Sequence, residues 1–292
     1  MPEIAYVNGE FLPLERAMVH VEDRGYQFAD AVYEFLRTYR GQPFAVAEHL
    51  QRLFASLDAI GLKHRFTAPQ LEGIIREAIR RAAFPEAMVY LQISRGQAKR
   101  HRGIPADYAP TLVLTVRPLA STAHLCQTGV KLITVPDQRW ARCDIKTVGL
   151  LANVLAYQAA QQAGASDAIL CDADGTVHEA TAGNIFMVTT GGQLVTPAKS
   201  HRLLAGVTRD KLLQAATAAG IPTAEQRITR TELLAAAEVI LTSSTAEAVP
   251  VIAVDGQPIG TGQPGPVAAQ IYQQFIRQFA GATGSPSTTL LD

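Results

Sequence analysis

The chain is short of several things that would otherwise direct its reading. Cysteine occurs only at Cys126, Cys143 and Cys171, an odd and widely spaced set with no CxxC pair. Neither a disulfide framework nor a zinc knuckle is indicated, and a reducing, cytoplasmic setting is expected. There is no excess of either charge: Lys plus Arg is 26 and Asp plus Glu is 26. That leaves no chain-wide electrostatic basis for binding nucleic acid or an anionic membrane. No apolar run approaches the ~18 residues of a membrane span. The opening MPEIAYVNGE has neither the basic start nor the apolar core of a secretory signal. Seven histidines are scattered without metal-ligand spacing, so no metal is expected. What is present is 292 residues, 48% hydrophobic and 18% charged. This is a soluble globular composition, long enough for one large domain or two small ones.

Three near-motifs fail on inspection. GTGQPG at 260–265 has the letters of GxGxxG but contains a proline and opens no helix, so it reads as a turn. His178-Glu179 begins like HExxH and lacks the second histidine. Asp172-Ala173-Asp174-Gly175 resembles the start of a calcium loop without its downstream ligands, and a hairpin turn explains it better. There is no P-loop and no GxSxG.

The pattern along the chain predicts two α+β halves. Strands are expected at 3–8 and 10–14 around Asn8-Gly9, and at 87–94 and 111–117. Amphipathic helices are expected at 48–61 and at 69–84, the second opening on Pro69. Residues 118–124 read as a linker. Short strands follow at 130–135, 167–171, 176–179, 184–189, 193–196 and 238–242, with helices at 148–163, 206–219 and 230–237. The expected division is an N-terminal domain over 1–118, a linker over 119–124, a second domain over 125–282 and a disordered tail over 283–292. The loop RGQAKRHRGIPADYAP at 95–110 is the one strongly basic patch. It reads equally as a solvated hairpin loop or as an anion trap.

Lysine is scarce, with six residues against twenty arginines. One of the six, Lys146, precedes a long apolar run and is expected to be largely buried. It is either a snorkelling residue at a helix start or an amine suited to forming a Schiff base. Glu179 lies beside the apolar run Ile185–Val188. It is either a strand-end charge or a carboxylate able to hold a proton on a heteroaromatic nitrogen. LLAGVTRDKL at 203–212 opens a helix at Gly206-Val207-Thr208, where free backbone N–H groups and a hydroxyl suit an anion. LTSSTAE at 241–247 places hydroxyls directly after a strand. Each has an ordinary capping explanation. Together they supply an amine, a carboxylate and two phosphate cradles, the set pyridoxal phosphate requires.

With those residues in place, the sequence resembles the class IV (fold type IV) pyridoxal-phosphate-dependent aminotransferases, most closely their D-amino acid branch. The signature reads Glu179, Thr181, Asn184-Ile185-Phe186, Leu194, Thr196, Leu204, Gly206-Val207 and Arg209. The likeness extends over nearly the whole chain through 22–34, 48–56, 138–146, 206–210 and 250–256. It implies an α+β, two-domain fold with a small N-terminal domain and a larger C-terminal domain with a β-barrel-like core. It implies pyridoxal 5'-phosphate as cofactor, Lys146 as the Schiff-base and proton-transfer residue, and Glu179 as partner of the ring nitrogen. Arg52, Val207, Thr208, Ser243 and Ser244 would hold the phosphate. Tyr33, Arg100, Arg102 and Arg139 would hold or flank the substrate. The implied assembly is a homodimer in which the basic loop reaches the neighbouring subunit's site.

Two departures stand out. The family's Arg-x-His pair is matched here by Arg100 and Arg102, with His101 one place early. A second arginine strengthens an anion trap, changes its size and removes a titratable group. Ala180-Thr181-Ala182 stands where relatives are serine-rich. The implied reaction is transamination between D-amino acids and 2-oxo acids, D-alanine with 2-oxoglutarate being the usual pair. The alternatives are a branched-chain L-amino acid aminotransferase, a 4-amino-4-deoxychorismate lyase on the same fold, and a cofactor-free binding protein.

Overall fold

A computed structural model describes residues 2–280; the tail expected over 283–292 lies outside the described residues. Its contacts divide the chain into two units. The first holds Met1–Ala120 and also Ile145–Leu150; the second holds Ser121–Asp144 and the residues from Leu151 on.

The first unit is built on one antiparallel sheet. Its strands are β1 (Ile4–Val7), β2 (Glu10–Pro13), β3 (Ala31–Tyr39), β4 (Gln42–Pro43), β5 (Ala87–Ser94) and β6 (Thr111–Pro118), in the order β2-β1-β6-β5-β3-β4. Its helices are α1 (Arg24–Phe28), α2 (Val46–Ala59) and α3 (Ala68–Ala82). The period-two pattern of β5 explains its place: Ala87, Val89, Leu91 and Ile93 are fully buried, while Met88, Tyr90 and Gln92 are half-buried on the other face. Onto the buried face pack Leu50, Leu53 and Leu57 of α2 and Leu71, Ile75 and Ile79 of α3. Burying each such side chain stabilises the unit by about 2 kcal/mol. Thr67 starts α3 with a capping box closed by Gln70, and Asn8-Gly9 turns β1 into β2 with both residues at positive φ.

Ile145–Leu150 joins this unit rather than the one that flanks it in sequence. Ile145 enters the same apolar core. The Tyr33 N–H donates to the Lys146 carbonyl at 2.9 Å, the Val148 N–H to the Ala31 carbonyl at 3.2 Å, and Thr147 bridges Val32.

The second unit contains α4 (Ala123–Thr128), β7 (Val130–Pro136), α5 (Leu151–Gln162), β8 (Asp167–Cys171), β9 (Thr176–Ala180), β10 (Asn184–Val188), β11 (Leu194–Thr196), α6 (Val207–Ala218), β12 (Thr223–Glu225), β13 (Ile228–Thr229), α7 (Arg230–Leu234), β14 (Glu238–Ser243), β15 (Glu247–Val254), β16 (Gln257–Pro258) and α8 (Pro266–Phe275). The strands form one mixed sheet in the order β12-β11-β10-β14-β15-β7-β8-β9-β13, with β16 on β15. The sheet curls until β9 packs on β10, which gives the barrel-like core. Both β8 and β10 are buried at every residue, so they read as unbroken apolar runs rather than alternating ones. The expected linker is helical from Ala123 onward. No helix among the described residues is long and apolar enough to cross a membrane.

Candidate active site

In the first unit, β3 sends Tyr33 and Glu34 to opposite faces. Lys146 comes to Tyr33: its Nζ lies 4.2 Å from the ring centroid. The Lys146 N–H donates to Ser56 Oγ on α2 at 3.3 Å, so the segment is pinned from both sides. Lys146 is half-buried, not largely buried as its apolar surroundings suggested, while its neighbour Ile145 enters the core. Tyr33 also stacks on Tyr90 at 5.4 Å.

The opposite face of β3 carries a buried charge cluster. Arg52 Nε and Nη2 donate to the two oxygens of Glu34 at 2.7 and 2.8 Å. His49 Nδ1 meets Glu34 Oε2 at 2.7 Å. Burial alone would raise the Glu34 carboxyl. The Arg52 charge and the hydrogen bonds from Arg52 and His49 outweigh it and bring the group to about 2. Burial pushes the His49 imidazole down, so His49 is neutral and donates through Nδ1. Arg52, the residue the resemblance gives to a phosphate, is thus aimed by two residues that motif reading passed over. Glu34 sat unnoticed in AVYEF because a charged letter in a strand looks solvent-facing.

Because the folded Glu34 carboxyl lies below its ordinary value, its stabilising effect is complete above that value and fades as pH falls toward about 2. Glu34→Gln should cost about 3 kcal/mol near neutrality, and the deficit should shrink when melts are repeated below about pH 4. A deficit that stays constant down to acid pH would contradict this reading.

In the second unit Glu179 is buried, 6% exposed, and surrounded by donors. Arg139 Nη1 pairs with its Oε1. Asn184 Nδ2 donates to Oε2 at 3.2 Å, and the Leu204 N–H to both oxygens at 3.1 and 3.2 Å. Glu179 is therefore no strand-end charge. The hairpin register explains how it is presented: Leu170 pairs with Glu179 and Cys171 with Val177, so His178 is the extra residue of a β-bulge.

Arg139 donates twice more to Asp137, through Nε at 3.0 Å and Nη2 at 2.9 Å, and to the Arg202 carbonyl at 2.9 Å. Burial works against the Arg139 charge, but Asp137 and Glu179 outweigh it and push its pKa further up. These bonds engage all three guanidinium nitrogens with protein groups. The geometry makes Arg139 a restraint on Glu179, a different task from the substrate contact that the resemblance implies. Asp137, Asp172 and His178 bring ligand atoms within 4.8 Å of one another. Arg139 and Arg202 supply the positive charge there, Arg202 Nη2 reaching Asp172 at 2.7 Å. Asp172 itself begins the β8–β9 turn, closed by the Gly175 N–H on its carbonyl.

The start of α6 is a close-packed cradle. Gly206 is its N-cap, with no side-chain cap, so the first-turn amides retain helix-end donor character. Val207 and Thr208 are both buried. A Cβ at Gly206 would sit 2.1 Å from Asn184 Oδ1, so only glycine lets the helix start approach this side chain. Asn184 Nδ2 also donates to the Leu204 carbonyl at 2.9 Å, tying Glu179 to the approach to α6. At the β14–β15 turn, Ser243 Oγ accepts from the Ala246 N–H at 3.0 Å and meets Thr245 Oγ1 at 3.2 Å. Ser244 is half-buried beside it.

In the basic loop Arg100 and Arg102 are exposed. Arg100 lies 4.7 Å from the Phe28 ring centroid and donates to the Gln27 carbonyl at 3.3 Å. His101 turns back on its own loop, Nδ1 accepting from the Gly103 N–H at 3.1 Å.

Known proteins resemble this chain over most of its length. A curated D-alanine aminotransferase from Bacillus licheniformis is 39% identical over 264 residues, covering 90% of this chain and 93% of that protein. The branched-chain amino acid aminotransferase of Escherichia coli superposes with a TM-score of 0.88 at 28% identity, over 99% of this chain and 98% of that one. The T.th. branched-chain amino acid aminotransferase, solved with pyridoxamine 5'-phosphate, superposes with a TM-score of 0.87 at 27% identity, over 95% and 94%. The family model for amino-transferase class IV matches residues 31–254, and the chain belongs to that family.

Proposed function

We propose that this chain is a pyridoxal 5'-phosphate-dependent aminotransferase that moves the amino group of D-amino acids to 2-oxo acids, as in D-alanine plus 2-oxoglutarate to pyruvate plus D-glutamate. The observation that carries the D-selective reading is the likeness, at 39% identity over 90% of the chain, to a protein named for D-alanine. The branched-chain structures share the fold at 27–28%.

The residues present fit the cofactor. A phosphate needs donors, and the glycine-capped start of α6, Thr208, Ser243, Ser244 and the guanidinium of Arg52 are donors. A protonated ring nitrogen needs a carboxylate, and Glu179 is one with its remaining capacity organised by Arg139, Asn184 and Leu204. When bound, pyridoxal phosphate supplies an electron sink for the charge left at the amino acid's α-carbon. Lys146 Nζ would hold the cofactor, and its amine would take the α-proton and return it. Glu179 keeps the ring-nitrogen proton in place. Tyr33 orients the substrate beside the Lys146 amine, and Arg100 and Arg102 hold its carboxylate.

We further propose a homodimer in the cytoplasm, with no nucleic acid or membrane partner. The outer face of α5 supports the dimer: Leu151 is 71% exposed, Val154 and Leu155 58% each, and Tyr157 47%. An apolar stripe of this kind on a single chain suits a second copy, and sedimentation should give twice the chain mass. The three free cysteines suit a reducing compartment.

Paired D- and L-amino acids, assayed on the purified holoenzyme with and without a 2-oxo acid, test the reading. D-alanine should turn over at least about 10²-fold faster than L-leucine, and only with acceptor present. A preference for L-leucine would make the chain a branched-chain enzyme, as the fold likeness alone would also allow. Product formation without acceptor would make it a lyase.

A further inference from the structure

The segment Asp23–Asp30 begins with two buried charges. Arg24 is 3% exposed and Asp23 1%. Arg24 Nε donates to Asp30 Oδ2 at 2.8 Å. Its Nη1 crosses to the basic loop and donates to the carbonyls of His101, at 2.7 Å, and Gly103, at 3.2 Å. Those two carbonyls flank Arg102. Asp30 is shared: Arg95 Nε donates to the same oxygen at 2.8 Å. Burial would raise the Asp30 carboxyl, and the hydrogen bonds from Arg95 and Arg24 hold it below the ordinary value instead.

The two arginines divide the loop between them. Arg95, at the loop's start, holds the Ile60 and Gly61 carbonyls and the Tyr108 hydroxyl. Arg24 holds the crest. The Arg24 N–H donates to the Gly96 carbonyl at 2.9 Å and the Ala98 N–H to the Glu22 carbonyl at 3.1 Å, zipping 22–24 along 96–98. Phe28 fills the space between, with the Arg24 guanidinium 5.0 Å and the Arg100 guanidinium 4.7 Å from its ring centroid. A buried guanidinium is retained only when its donors are met. Here two of the acceptors are carbonyls at the loop crest.

We infer that Arg24 is a positioning and specificity-determining residue: by fixing the carbonyls on either side of Arg102, it sets where the Arg100 and Arg102 guanidinium groups stand. This rests on the proposal that those two arginines hold the substrate carboxylate. An exposed Arg102 with a free backbone would sample many positions and lose affinity to ordering. An Arg102 on a pinned arc is pre-organised for one carboxylate position, and so for one hand and size of amino acid.

The test uses the holoenzyme with Arg24→Gln and Arg24→Lys. Gln is uncharged; Lys keeps the charge beside Asp30, but one ammonium nitrogen cannot span Asp30 and both carbonyls. The loop reports on itself, since trypsin cuts after Lys99, Arg100 and Arg102, and mass spectrometry identifies the products. Both variants should be cut there at least about tenfold faster than the parent. The KM for D-alanine should rise by about tenfold or more, with kcat and bound cofactor nearly retained and discrimination between D- and L-amino acids reduced. Should Arg24→Gln fail to fold, Arg24→Lys carries the same expectations. Unchanged cleavage overturns the clamp. Faster cleavage with an unchanged KM leaves the clamp standing, and overturns both the specificity role and the assignment of this loop to the carboxylate. A fall in kcat and cofactor content with KM constant would mean a merely structural role, and overturns the inference.

Discussion

Replacing Lys146 by alanine should abolish transamination and leave a folded, colourless protein. The loss should reach the upper part of the range for a positioned general acid–base, about 10⁴-fold, because the proposal has the same amine also anchor the cofactor. The fold has little reason to respond. The segment is held by backbone bonds, from Tyr33 N–H to the Lys146 carbonyl and from Lys146 N–H to Ser56 Oγ, and alanine keeps both. The Lys146 amine sits over the face of the Tyr33 ring, a cation–π interaction of about 1 kcal/mol or less where partly solvated. Lys146→Arg separates charge from chemistry. It retains a cation over Tyr33 but has no amine that can lose its proton and attack, so it should be as inactive as alanine. Steady-state turnover, the visible spectrum and a thermal melt check the three claims together. An arginine variant with a tenth of parental turnover would show that the residue acts through charge alone.

Glu179→Gln should lower turnover by about 10²- to 10³-fold, the usual cost of removing one pre-organised electrostatic partner from a site. The amide has the shape of the acid and loses the charge that the proposal pairs with the ring nitrogen. It also presents an NH₂ group to donors: Arg139, Asn184 and the Leu204 N–H all point at this side chain. Arg139 keeps Asp137 and the Arg202 carbonyl, so the fold should survive with a modest loss of melting temperature. Glu179→Asp keeps the charge at shorter reach and should recover part of the lost turnover. Cofactor affinity should fall less than turnover, since the donors proposed for the phosphate are untouched. Turnover within threefold of the parent in Glu179→Gln would remove Glu179 from the chemistry.

Much of this was legible in the residues. The β5 and β6 runs, α2, α3 and the Asn8-Gly9 turn followed from apolar spacing and turn chemistry, and lie within a few residues of expectation. The start of α6 was announced by Gly206-Val207-Thr208. Three long elements were not foreseen. β3 was obscured by Glu34 and Arg37, whose charges are met by partners such as Arg52 and Glu86 rather than by water alone. β15 carries Pro250 in its middle, which ordinarily argues against a strand. α8 follows the glycine-rich turn at 260–265, and no helix was expected after it. The helix expected from 148 starts at Leu151, because 147 and 148 are paired to β3. In the site, single residues were readable and their supports were not. Glu34 and His49 meet across 15 residues, and Arg139 reaches the Arg202 carbonyl across 63. No local spacing rule reaches that far.

The excursion of Ile145–Leu150 into the first unit also forbids a simple cut. A fragment ending at Ala120 would expose the Tyr33 amide and the Ala31 carbonyl, both of which bond to residues beyond 144, and would lose Ile145 from its interior. Each orphaned backbone group is costly away from water. The piece 1–120 therefore lacks residues that its own packing uses, whereas a break after Leu150 would take α4 and β7 from the second unit instead. No single break leaves each unit with all of its own residues.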